Sequence, residues 1–134
     1  MTLTLTTVPC LVDNYAFIIG NLETREAAVI DVPEAAPINA ALAAGNWTLT
    51  TVILTHHHHD HVQGLDDLKG RDSLHVIGAK ADAGRLPPLD TAVTEGDTIT
   101  VCGEEAEIFD VSGHTINHIA IYFAAKAWDF IGGI

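Results

Sequence analysis

Five of the chain's eight histidines fall between residues 56 and 61, in the run THHHHDHVQG, and no other feature restricts the fold so much. A polar, tag-like run belongs at a terminus among linker residues, whereas this one follows the β-branched TLTTVIL and precedes VQGLDDLKG. Its internal position favours a metal site. A fold that uses it must end a strand at the first histidine, turn the chain there, and bring further ligands from elsewhere.

The donor types fit that reading. Zinc takes neutral imidazole and carboxylate, and a catalytic site keeps one position open for water. H-x-H-x-D-H offers four candidates: His56, His58, Asp60 and His61. In an extended or irregular segment side chains at i and i+2 point the same way, so His56 and His58 can grip one ion together. Asp60 and His61 fall where the loop turns into a helix, aimed at a second point ~3.5–4 Å away. That arrangement invites two ions. A third ligand for the first ion must come from elsewhere, and SGHT offers His114 after the strand EIFDV, with Gly113 allowing a tight turn. His118 competes for the same role. The plain alternative is a surface loop with no ion, but four histidines and an aspartate beside an apolar strand gain nothing obvious without one. His59 and His75 read as solvent-facing or structural, and Asp66 and Asp67 as a solvated helix face. Asp31, ending AVIDV, is either a turn acceptor or an orienting group behind a ligand histidine.

Around this run the chain alternates strands and helices. TLTLTTV, NYAFIIG and EAAVIDV read as an N-terminal antiparallel meander. PEAAPINAALAAG predicts a helix from near Pro37 to Gly45, because a proline inside would break it. WTLTTVIL is a strand, VQGLDDLKG a short helix beginning at or just after Asp60, and SLHVIG another strand. ADAGRLPPLDTAVTEG is loop-rich; DTITV, EAEIFDV and HIAIYF are three strands, the first two joined across CGE at a hairpin turn. The class is α/β, with function on loops at strand ends.

Composition narrows the partners. The 134 residues fit one domain, 1–134. A net charge of −12 repels phosphate backbones and anionic lipid surfaces, which argues against nucleic acid and membrane partners. No apolar stretch approaches the ~20 residues of a bilayer span, and no signal peptide is read at MTLTLTTVPC. Cys10 and Cys102 lack C-x-x-C spacing and read as buried free thiols, consistent with a cytoplasmic protein.

T-H-x-H-x-D-H followed by G-H-T resembles the signature of the metallo-β-lactamase fold hydrolases. VDNYAFII, AAVIDVPEA, LTHHHHDHVQG and GHTINHIAIYF are similar, within that superfamily, to glyoxalase II, the hydroxyacylglutathione hydrolases. The resemblance runs over essentially the whole chain and implies an αββα sandwich. It implies that His56, His58 and His114 hold the first metal, that Asp60 and His61 hold part of the second, and that His118 only supports. Asn117 stands where the family usually has glycine. The implied metal is zinc, one or two per chain, with iron or manganese suited to the same donors. The implied reaction is hydrolysis of S-(2-hydroxyacyl)glutathione, such as S-lactoylglutathione, to a 2-hydroxy acid and glutathione. The resemblance implies that a metal-bound hydroxide would attack the thioester carbonyl and that Asp60 would orient the water from which it forms.

The family's bridging aspartate lies in a Gly-Asp-x-Leu segment, where this chain reads AAKAWDFIGGI. Asp129 does not match that context. The expectation is therefore a sandwich truncated to its N-terminal half, without most of its second sheet and without the C-terminal glutathione-binding region. Such a chain should hold one metal tightly and self-associate through exposed apolar surface. Another enzyme on the scaffold (a lactonase, a β-lactamase or a sulfur dioxygenase) and an inactive metal-binding module are the competing readings.

Overall fold

The computed structural model describes residues 3–10, 14–55, 64–68, 70, 73–80, 89–110, 119–123 and 128–131. Ten strands and one α-helix occur among them, in the order β1 (Leu3–Cys10), β2 (Asn14–Asn21), β3 (Glu26–Ile30), α1 (Ala35–Ala44), β4 (Thr48–Ile53), β5 (His75–Ala79), β6 (Thr91–Val93), β7 (Thr98–Val101), β8 (Glu104–Asp110), β9 (Ile119–Phe123) and β10 (Trp128–Ile131).

The first six strands form one sheet in chain order, and the last four form a second in the order β10-β9-β8-β7. β1, β2 and β3 are the expected antiparallel meander. From β3 onward the first sheet is parallel. The change follows from the connections: α1 gives the chain the length to cross back and start β4 beside β3 in the same direction. The second sheet is antiparallel throughout.

A parallel strand covered on both faces reads as a continuous apolar run, and EAAVI is one. Ala27 and Val29 join the core beneath α1, with Val52, Val76, Ile38 and Leu42. Ala28 and Ile30 face the other way and pack with Ile53, Ile77, Ile108, Ile121 and Phe123 between the two sheets. The result is a layered helix, sheet and sheet stack. β8 alternates as a half-exposed strand should: Ala106 and Ile108 point inward, while Glu105, Glu107 and Phe109 are exposed.

Four local expectations change. α1 begins at Ala35, two residues before Pro37. Pro37 therefore sits in the first turn, where amide groups have no intrahelical acceptor and a missing donor costs little. The helix ends at Gly45 as expected, but Gly45 keeps right-handed backbone and the left-handed residue is Asn46, at φ 55°. The described part of VQGLDDLKG forms a 3₁₀ turn over Leu65–Asp67, with Asp66 and Asp67 exposed; Asp60 and the rest of its start lie outside the described residues. The loop-rich stretch contains the three-residue strand β6. WDFI pairs with β9 as β10, the fourth described strand of the second sheet.

Candidate metal centre

β3, β4, β5 and β6 run parallel, so all four end along one edge of the first sheet. Loops at the carboxyl ends of parallel strands are where open α/β sheets bind ligands. β4 ends at this edge, and in the sequence the histidine run follows it, immediately after Thr55.

Asp31 and Thr55 fix the exit of β4. Asp31 is 2% exposed and Thr55 is 0% exposed. The Thr55 amide donates to Asp31 Oδ1 at 2.9 Å, and the Thr55 hydroxyl donates to Oδ2 at 2.7 Å. Asp31's own amide donates to the Ile53 carbonyl at 2.9 Å, so the two chain segments hold each other. Asp31 takes left-handed backbone, φ 63°, which aspartate tolerates better than a β-branched residue would. Of its two sequence readings, turn acceptor is the one displayed; the histidines it could orient lie outside the described residues.

The far end of the run is fixed on the same segment. The Gly64 amide donates to the Val32 carbonyl at 2.9 Å. A Cβ on Gly64 would stand 2.8 Å from the Ala35 nitrogen and 3.0 Å from Glu34 backbone carbons, so only glycine lets the chains approach this closely. Thr55 and Gly64, the described residues on either side of 56–63, are thus both tied to the stretch 31–35. Sequence reasoning missed this bracket, because nothing in Thr55, Val32 or Gly64 alone announces a partner.

The second ligand source is the chain beyond β8. β7 and β8 are joined by a two-residue turn at Cys102 and Gly103, whose φ values of 53° and 85° are those of a type I′ hairpin. That turn packs against the end of β2: Asn21 Nδ2 donates to the Cys102 carbonyl at 2.9 Å, and the Cys102 thiol lies 3.7 Å from the Ile19 carbonyl. The end of β2 pairs with the start of β3, the edge opposite Asp31 and Thr55. β8 runs away from the turn, toward the edge where β3 and β4 end, and stops at Asp110, four residues before His114.

His56, His58, Asp60, His61 and His114, the five expected ligands, lie outside the described residues, as do His59 and the competitor His118. Among the described residues no group of three or more His, Cys, Asp or Glu is placed to hold a metal. His75 is exposed on β5 and bonds Thr91 Oγ1 through Nε2 at 2.6 Å, as expected of a surface structural residue. Cys10 and Cys102 are both buried and free. Burial raises the Cys10 thiol; burial, aided by the Glu26 carboxylate, pushes the Cys102 thiol up to about 11. Neither is a metal-ready thiolate. The donor set that fits a divalent ion is the imidazole and carboxylate set of the run together with His114.

The family described as the metallo-beta-lactamase superfamily matches residues 14–132. The chain is 52% identical over 132 residues to a hydroxyacylglutathione hydrolase of Cereibacter sphaeroides (strain ATCC 17025 / ATH 2.4.3), covering 98% of this chain and 52% of that protein. It is 55% identical over 119 residues to a hydroxyacylglutathione hydrolase of Jannaschia sp. (strain CCS1), covering 89% and 46%. The chain spans about half the length of these curated relatives. Among solved structures, the B3 metallo-beta-lactamase BLEG-1 superposes with a TM-score of 0.83 at 20% identity, over 96% of this chain and 71% of that one. ETHE1 from Myxococcus xanthus superposes with a TM-score of 0.69 at 25% identity, over 92% and 54%. Among the described residues no helix is long and apolar enough to cross a membrane.

Proposed function

The chain belongs to the metallo-beta-lactamase superfamily, and from that premise we propose that it carries the histidine-rich portion of a glyoxalase II, a hydrolase that cleaves S-(2-hydroxyacyl)glutathione to a 2-hydroxy acid and glutathione. The observation that carries the proposal is the bracket: the two described residues that flank H-x-H-x-D-H are tied to one segment, Thr55 to Asp31 and Gly64 to Val32. Relatives of 52% and 55% identity that are named for this reaction supply the substrate class.

His56, His58 and His114 would hold one zinc ion, and Asp60 and His61 would contribute to a second. Zinc, when bound, supplies Lewis acidity toward the thioester carbonyl and lowers the pKa of a bound water to about 7. Asp60 is assigned to orient the attacking water by accepting its hydrogen bond. Asp31 contributes indirectly: both its carboxylate oxygens hold Thr55, the residue that precedes His56 in the sequence. We place the protein in the cytoplasm as a single domain over 1–134, with neither nucleic acid nor membrane as partner.

Turnover of S-lactoylglutathione, followed with and without a chelator, tests the reading. Chelator-sensitive thioester cleavage is the expected result. Zinc binding without cleavage would leave a metal-binding module, and hydrolysis insensitive to chelation would remove the metal from the reaction.

A further inference from the structure

The two candidate ligand sources follow, in the sequence, strands of different sheets, and the core between those sheets is apolar. Ile30, Ile53 and Ile77 of the first meet Ile108, Ile121 and Phe123 of the second. Apolar packing is non-directional, so by itself it fixes weakly how far one sheet slides along the other. A directional bond crosses the gap at the edge remote from the histidine run. Asn21 is buried at the end of β2. Its Nδ2 donates to the Cys102 carbonyl at 2.9 Å, while its Oδ1 accepts from the amides of Glu23 at 2.8 Å and Thr24 at 3.3 Å. One side chain thus ties the β2–β3 turn to the β7–β8 hairpin.

We propose that Asn21 is a positioning residue for the metal centre: by pinning the β7–β8 hairpin to the first sheet, it sets the point at which β8 hands over the segment carrying His114. The inference rests on the reading of His114 as a ligand. β8 is seven residues long, a lever of ~20 Å with little give along its length. The two-residue turn between Val101 and Glu104 transmits the tether into β8 without slack. A shift at Cys102 therefore becomes a shift at Asp110, four residues before His114.

The test is zinc affinity, by competition with a chromogenic chelator, together with the visible spectrum of the cobalt(II)-substituted chain. Asn21→Asp keeps an oxygen acceptor for Glu23 and Thr24, removes the donor to Cys102, and sets a carboxylate oxygen against a carbonyl. Leu42→Ala is the control: it cuts the core beneath α1, away from the gap between the sheets, and lowers the unfolding midpoint of the metal-free chain. Asn21→Asp is expected to weaken zinc binding by about ten-fold or more, the scale of one lost buried hydrogen bond, and to change the cobalt bands. Leu42→Ala should keep parental affinity and bands. Parental affinity and spectrum in Asn21→Asp, or equal losses in the control, would overturn the positioning role alone. Failure of the unsubstituted chain to bind zinc would overturn both this inference and the hydrolase reading.

Discussion

Asp31 offers two acceptors to Thr55, and at 0% exposure Thr55 has no solvent to replace them. Asp31→Ala should cost roughly 2–4 kcal/mol, since each buried donor left without a partner costs about 1–3 kcal/mol. Chemical denaturation of the metal-free chain measures it, and a loss under 1 kcal/mol would mean that Thr55 has found another acceptor. Gly64→Ala acts by crowding rather than by deletion. Its new methyl would meet Glu34 and Ala35 backbone, which cannot rotate aside as a side chain can, so roughly 1–3 kcal/mol is expected together with weaker zinc retention. Within the run itself His58→Ala should abolish tight zinc binding and His59→Ala should leave it close to parental. Metal content after dialysis distinguishes the two, and equal losses would return the run to an undifferentiated polar tract.

At the level of elements, what the sequence declared was what short-range chemistry controls. The meander, β4 running into the histidines, β5 and the CGE hairpin all follow from β-branched runs punctuated by turn residues. The start of α1 did not, because a proline is harmless in a first turn yet looks like a boundary. β6 did not either: three residues, TAV, carry too little periodicity to stand out after a Pro-Pro pair. The ligand types were legible in H-x-H-x-D-H and G-H-T, whereas the ties that organise them join residues far apart, Asn21 to Cys102 across 81 positions and Asp31 to Thr55 across 24. The β7–β8 hairpin has its own pH signature. The Cys102 thiol starts from an ordinary value of 9.0 and is raised to about 11 in the fold. Its protonated form is shared by folded and unfolded chains below pH 9; as pH rises from about 9 toward 11 only the unfolded chain ionises, so stability must fall across that window. Thermal melts at pH 8, 9.5 and 10.5 check the slope, and Cys102→Ser should lessen it, leaving the part due to the raised Cys10 thiol.

For the molecule as a whole, β1 and β6 end the strand order of the first sheet, and β1 is the longer edge and carries no charged residue over Leu3–Cys10. Leu5 is 39% exposed there, while the other exposed large hydrophobic side chains among the described residues, Leu22 and Phe109, stand on separate elements. Uncharged edge strands pair with other chains unless blocked by lysine, proline or a bulge, and only Pro9, near one end, serves that purpose here. Concentration-dependent self-association is the expected behaviour in sedimentation velocity, and Thr6→Lys should suppress it. A single sedimenting species at all concentrations would count against this route. The order of strands also has a consequence for synthesis. Because β1 to β6 lie side by side in the sequence in which a ribosome delivers them, each new strand finds its neighbour already exposed. The clasp of Asp31 on Thr55 can close while β8 is still in the exit tunnel, so one jaw of the grip is shaped before the other is born.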